Sequence, residues 1–243
     1  MLLVCISVNI KKRYEISYVK GWRIIESLLK KSSAVILVGG KSSRMGYKDK
    51  YNLKIGQKRF IDYIIEELSC FDYIAISANK NQDLASLKHK VIIDEIDEVG
   101  PIGGIYTAMN NINSEILFLC TCDVPNISRE IVYKIYNNFD FRYDCVIPRI
   151  NGRIHPLLGI YQTRIKNIVK GNIKNSDYKI RNLLDRVNTK YIDFDEKYDE
   201  IFSNINTIEE YEEYCKHKCV KKILLWDKTL VIFFLYMKSY NLY

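Results

Sequence analysis

The stretch from Ala34 to Lys50, AVILVGGKSSRMGYKDK, constrains the fold more than any other part of the chain. An apolar, β-prone run, Ala34 to Val38, stops at Gly39-Gly40. A loop of cations and hydroxyls follows: Lys41, Ser42, Ser43, Arg44, Gly46, Lys48 and Lys50. At the carboxyl end of a strand, such a loop reads as a phosphate site. Glycine lets the backbone approach an anion, loop N–H groups donate to its oxygens, and cations neutralise it. The spacing G-G-x-S-x-R-M-G-x-x-D-K is neither the G-x-x-x-x-G-K-[ST] loop nor the G-x-G-x-x-G fingerprint.

From Ser33 onward, strand and helix signals alternate. Strand-like runs cover Ala34 to Val38, Tyr73 to Ser77, Val91 to Ile93, Glu115 to Cys120, Cys145 to Pro148 and Tyr191 to Phe194. Helix-like segments lie between them: Arg59 to Leu68, Gln82 to Lys88, Gly103 to Asn110, and Ser128 to Asn138 with Ser128 as its cap. Further on, Tyr161 to Lys170 and Tyr178 to Val187 read as helices, and Asn206-Thr207 caps a last one running through Cys215. The alternation predicts an α/β fold, a mostly parallel Rossmann-like sheet with helices on both faces. Ligands of such sheets sit at the carboxyl edge, so the loops after Val38, Ser77, Ile93 and Cys120 are expected to converge there.

At 243 residues, with 48% apolar residues and only 4 Pro and 11 Gly, the chain suits one globular domain. The expected boundaries are an N-terminal appendage at 1–32, the α/β domain at 33–215 and a basic, then apolar, extension at 216–243. Partial helical spacing of Trp22, Ile24, Ile25, Leu28 and Leu29 suggests a short helix in the appendage. The formal charge of +8 sits at the ends: residues 1–33 and 216–243 each carry +5, leaving −2 for the body. The body therefore needs no polyanionic partner, and nucleic acid is not expected. Seven cysteines, no signal-peptide pattern and no apolar run of the ~18 residues that span a bilayer indicate free thiols, a cytoplasmic location and no stable membrane insertion. Cys120-x-Cys122 reads as buried inert thiols, and Cys215-x-His217-x-Cys219 matches no structural zinc spacing.

The chemistry-bearing candidates follow the strand ends. Asp123, in Cys122-Asp123-Val124-Pro125, is placed to hold Mg²⁺, which favours one or two carboxylates together with phosphate oxygens; an Asx-turn is the plainer reading. Lys50 closes the glycine loop and either reaches phosphates or is a solvated surface lysine, charge alone not selecting it among its neighbours; Arg44, with its planar fork, has a similar claim. Asp94, after Val91-Ile92-Ile93, either accepts from the N1 and N2 donors of a guanine or simply starts a loop. Asn79 is either a base or ribose contact or a turn residue. Gly100-Pro101-Ile102-Gly103-Gly104 opens a helix, through a glycine pair that admits a close ligand or backbone or forms a tight turn. His155, before Pro156, is either a contact for a second substrate's phosphate or, as a lone histidine more often is, structural.

In order along about 33–215, the pieces ILVGGKSSRMGYKDK, ISANKN, VIIDE, GPIGGI, CDVP, HPLLGIY and NINTIEEY resemble the molybdenum cofactor guanylyltransferase family (MobA-type) of the nucleotidyltransferase superfamily. The resemblance implies a three-layer fold of the nucleotide-diphospho-sugar transferase type. It implies transfer of GMP from Mg-GTP to the phosphate of molybdopterin carrying molybdenum, releasing pyrophosphate, with cofactor-delivery proteins of the same pathway as further partners. Carried over by position, Leu37, Val38 and Gly39 would bind GTP through the backbone, Lys50 its phosphates, Asn79 and Asp94 its nucleoside end, and Asp123 both Mg²⁺ and nucleotide. Lys50, Asp123 and Arg44 would be the catalytic set. The chain departs from the pattern at Val38, where family members usually have Ala and a bulkier side chain would stand beside the nucleotide, and at Ile208, where Pro is usual. The rival readings are a sister enzyme using CTP on the same cofactor or another NTP on a sugar or alditol phosphate, a nucleotide-binding protein without turnover, and a membrane- or nucleic-acid-associated module resting on the basic tails.

Overall fold

A computed structural model describes residues 23–39, 50–80, 82, 84, 87–205 and 207–216. Ten strands are described: β1 (Ser32–Leu37), β2 (Lys54–Ile55), β3 (Lys58–Arg59), β4 (Tyr73–Ala78), β5 (Lys90–Ile93), β6 (Ile116–Thr121), β7 (Cys145–Ile150), β8 (Arg153–Ile154), β9 (Gly159–Gln162) and β10 (Thr189–Phe194). The main sheet has eight strands in the order β10-β7-β9-β6-β1-β4-β5, with β8 paired to β7. β5, β4, β1 and β6 run parallel, β9 is antiparallel to both β6 and β7, and β10 is parallel to β7. The described helices are α1 (23–30), α2 (Phe60–Glu67), α3 (Pro101–Asn111), α4 (Arg129–Tyr136), α5 (Lys166–Lys174), α6 (Ile180–Leu184), α7 (Asp199–Phe202) and α8 (208–216).

Alternation along the central strands builds two cores, one on each sheet face. Ala34, Ile36 and Val38 of the β1 stretch, with Ile116, Phe118 and Cys120 of β6, join Ile61, Ile64, Ile131 and Ile135 from α2 and α4. Val35, Leu37, Leu117 and Leu119 face the other way, onto Ile102, Ile105 and Met109 of α3, Val169 of α5 and Leu183 of α6. Burying each such side chain contributes roughly 1.5–3 kcal/mol, and the result is the expected three-layer α/β architecture. Ile25 and Leu29 of α1, upstream of residue 33, are 5% and 2% exposed in the first core.

Three local expectations change. Tyr161 and Gln162 lie in β9 instead of opening a helix. Ile160 and Tyr161 alternate into opposite cores, and the Gln162 amide donates to the carbonyls of Phe141 and Tyr143. A 3-10 turn at Thr163–Ile165 then leads into α5. Between Gln82 and Lys88 the described residues Gln82, Leu84, Leu87 and Lys88 are not helical; Leu84 is buried in the first core and the Gln82 side chain is drawn to the β1 end instead. Ser128 is the N-cap of α4 in extended backbone, but its buried Oγ has no hydrogen-bond partner among the described residues. The Arg129 N–H instead donates to Glu67 Oε2 at 2.8 Å, so a neighbouring helix supplies the acceptor. Thr207 does cap α8: its Oγ1 accepts from Glu210 N, and the Glu210 carboxylate accepts from Thr207 N, a reciprocal capping box.

Candidate active site

Backbone hydrogen bonds join the loops that leave the carboxyl ends of the parallel strands. Cys122 N donates to Leu37 O at 3.3 Å, Val38 N to Ser77 O at 2.9 Å, and Asp94 N to Ala78 O at 2.8 Å. These bonds link the loops after β6, β1, β4 and β5 in a row. Leu37, Val38, Gly39, Asn79, Asp94 and Asp123 therefore share one edge, as the alternation predicts. Lys50 joins them from the start of a 3-10 turn, Lys50–Asn52, anchored by Tyr51 at 1% exposed. Arg44 lies outside the described residues, as do His217 and Cys219.

The centre of this edge is an ion pair. Lys50 Nζ lies 3.0 Å from Asp123 Oδ1, with the two side chains 14% and 32% exposed. A cation and a carboxylate held together at the end of a sheet are suited to opposite duties toward a nucleotide phosphate: one binds oxygen directly, the other through a divalent ion. The Asp123 carbonyl accepts from Ile205 N at 3.0 Å, and Asn126 bonds both Glu200 O and Tyr214 Oη. The segment from α7 to α8 is thereby tied against the Asp123 loop.

On the other side of β1 the backbone is already engaged. Val38 O accepts from Gln82 Nε2 at 3.0 Å, while Gln82 Oε1 accepts from Asn79 N at 3.0 Å. Gln82 thus bridges two loops, a role the sequence reading missed by assigning it to a helix. The Val38 side chain is 4% exposed and packs in the first core, which accommodates its bulk. Gly39 is exposed, and a Cβ on it would come within 3.2 Å of the Asn79 side-chain amide, a close but not prohibitive approach.

At the β5 end, Asp94 is 7% exposed and its Oδ1 accepts from Ser77 Oγ at 2.6 Å. Desolvation raises its carboxyl above the usual range, and the Ser77 bond opposes that shift. Ser77 is the second residue that sequence reading passed over, because a serine at the end of an apolar strand carries no signal of its partner. The glycine pair of α3 packs against the protein's own atoms: a Cβ on Gly104 would meet Ser77 Oγ at 2.8 Å, and one on Gly103 would meet Ile96 O at 3.0 Å. Gly100, with φ +70°, forms the N-cap turn before Pro101.

His155 is not tied to these loops by any hydrogen bond among the described residues. Its N–H donates to Pro148 O, its ring packs on Phe202 at 4.8 Å, and burial lowers its pKa. Cys120 and Cys122 are buried thiols pushed up by desolvation, in keeping with the inert reading. Among the described residues no three His, Cys, Asp or Glu side chains form a metal cluster, and no helix is long and apolar enough to cross a membrane.

Comparison with known proteins agrees with this geometry. A family model described as the MobA-like NTP transferase domain matches residues 34–190. A probable molybdenum cofactor guanylyltransferase of Clostridium perfringens is 35% identical over 195 residues, covering 77% of this chain and 98% of the relative. A molybdenum cofactor guanylyltransferase of Vibrio campbellii is 32% identical over 185 residues, covering 75% and 94%. Among solved structures, molybdopterin-guanine dinucleotide biosynthesis protein A from Archaeoglobus fulgidus superposes with a TM-score of 0.67 at 23% identity, covering 78% of this chain and 99% of that one. The matched span contains the glycine loop, the Lys50–Asp123 pair and the Ser77–Asp94 pair together, and on these grounds the chain belongs to the MobA-like NTP transferase family of nucleotidyltransferases.

Proposed function

We propose that the chain transfers GMP from GTP to the phosphate of molybdopterin carrying molybdenum and releases pyrophosphate. The activity named for its relatives supports this reading, and the observation that carries it is the Lys50–Asp123 pair at 3.0 Å on the edge shared with Asp94. The Leu37-Val38-Gly39 bend receives the nucleotide, chiefly at exposed Gly39, since Leu37 O and both polar groups of Val38 already have protein partners. Lys50 exchanges the Asp123 carboxylate for phosphate oxygens, and Arg44 adds a second cation. Asn79 and Asp94 hold the nucleoside end, Asp94 accepting from the guanine N1 and N2 donors.

Mg²⁺ fits the donor set. Asp123 offers one carboxylate with no clustered partner ligands among the described residues, and this ion is usually held by one or two carboxylates plus substrate phosphates. Bound there, it would offset negative charge on the phosphates. An oxygen of the acceptor phosphate forms a bond to the α-phosphorus in line as the bond to the β-phosphate oxygen breaks. Lys50 stabilises the charge that develops there. The free thiols among the described residues are consistent with a cytoplasmic setting.

The test is pyrophosphate release with each of the four NTPs and molybdenum-loaded molybdopterin. GTP is expected to be used best, and Asp123→Ala to lower turnover by at least about a hundredfold, the scale of losing one charge-stabilising group. Near-normal turnover of Asp123→Ala in Mg²⁺ would refute the role of Asp123, and preference for CTP would favour the sister activity.

A further inference from the structure

We propose that Ser77 is a specificity-determining positioning residue: its hydroxyl fixes the plane of the Asp94 carboxylate so that the pair of donors on a guanine edge is selected over other bases. This rests on the reading of Asp94 as the base-reading group. Ser77 is 2% exposed, and its Oγ donates to Asp94 Oδ1 at 2.6 Å. That is the only side-chain bond Asp94 makes among the described residues, so Oδ2 and one lone pair of Oδ1 remain for a ligand. A carboxylate that is 7% exposed with most of its acceptor capacity unused is costly unless a ligand completes it.

The backbone beneath is equally constrained. Asp94 N donates to Ala78 O at 2.8 Å, and the next N–H, Glu95, donates to Thr107 Oγ1 at 3.0 Å, with Thr107 fully buried in α3. With the backbone held at both positions, the two side-chain torsions of Asp94 are the remaining freedom, and the Ser77 bond to Oδ1 restricts both. Gly104 supplies the room, since a Cβ there would come within 2.8 Å of Ser77 Oγ and 3.5 Å of Asp94 Oδ1. Two parallel N–H donors need both acceptors coplanar with the base, whereas a base offering a single donor tolerates a rotated carboxylate. Ser77 therefore acts on discrimination more than on overall binding.

Binding of GTP, ITP, ATP and CTP to the full chain is measured by calorimetry for wild type, Ser77→Ala and Asp94→Ala. ITP lacks the N2 donor and reports whether both donors are read. For Ser77→Ala, GTP affinity is expected to fall about tenfold, with ATP and CTP changing less than about threefold and the GTP-to-ITP ratio approaching unity. A purely structural role would lower the unfolding midpoint and leave the ratios intact. If Asp94→Ala abolishes GTP preference while Ser77→Ala retains it, the role of Ser77 is overturned and that of Asp94 stands. If wild type itself shows no preference for GTP over ITP and ATP, the reading of Asp94 falls, and this proposal with it.

Discussion

Replacing Gly104 by alanine sets two known effects against each other. In an ordinary helix interior the change stabilises by about 0.5–1 kcal/mol, because glycine is the poorer helix former. Gly104 is the fourth residue of α3, and a Cβ there would lie 2.8 Å from Ser77 Oγ and 3.1 Å from Leu37 Cδ2. Neither neighbour can yield cheaply. Leu37 is 5% exposed in the second core, and turning the Ser77 hydroxyl away breaks the 2.6 Å bond to Asp94. Overpacking of this kind costs roughly 1–3 kcal/mol, and a hydrogen bond to a charged group is worth roughly 1.5–3 kcal/mol. The clash wins: losing the bond, less the helix gain, leaves an expected net loss of about 0.5–2.5 kcal/mol. Gly171 in α5 is the internal control, since nothing lies within 4 Å of a Cβ built there; Gly171→Ala should stabilise by about 0.5–1 kcal/mol. Urea unfolding of both variants, and of Gly104→Ala on a Ser77→Ala background, measures the coupling. Removing Oγ should recover at least about 1 kcal/mol. Equal stabilisation by Gly104→Ala and Gly171→Ala would refute the packing argument.

Two further outcomes follow from the site and its surroundings. The Lys50–Asp123 pair is intermediate between exposed and buried, so a double-mutant cycle of Lys50→Met and Asp123→Asn in metal-free buffer should give a coupling of about 0.5–1.5 kcal/mol; zero coupling would mean the pair does not form in solution. His155 has its pKa lowered from 6.5 mainly by desolvation, and its buried Nε2 has no hydrogen-bond partner among the described residues. A depressed folded-state value means the stability it contributes is full above the unfolded value and is lost as pH falls below it. Between about pH 7 and about pH 5, wild type should therefore lose more stability than His155→Phe, which keeps the ring contact with Phe202. Parallel stability–pH curves for the two proteins would count against the buried, neutral histidine.

The central parallel strands β1 and β6 were legible in the sequence because they bury both faces, which makes a short apolar run followed within a few residues by glycine or aspartate. β9 was not, because its four residues run straight into a helical pattern and its first, Gly159, carries no strand signal. Glycine is nonetheless required there: a Cβ would meet Val146 O at 2.5 Å, a neighbour that only the sheet order supplies. Of the proposed site residues, Asp94 and Asp123 were legible from their places after strand ends, whereas Lys50 was singled out among the lysines of its loop by the family resemblance alone. Those that hold them were not, since Gln82 reaches across 44 positions to Val38 and Ser77 across 17 to Asp94.

The register that hides Ser77 from the sequence also changes what the glycines of Gly-Pro-Ile-Gly-Gly are for. β4 and β5 pair with Ser77 opposite Ile92, and Asp94, two residues further on, returns to the same face. That face belongs to the second core, which α3 covers. Gly104 is therefore where the helix passes directly over the Ser77–Asp94 pair, and Gly103 where it passes over the Ile96 carbonyl. Read as a motif, the glycine pair left open a ligand, a backbone or a tight turn as the reason for its small size. In the folded chain that reason is the approach of α3 to the shelf carrying Asp94, and any side chain there would press first on Ser77. The helix, the serine and the carboxylate thus form one packed unit, and base selection is expected to be as sensitive to helix packing as to the carboxylate itself.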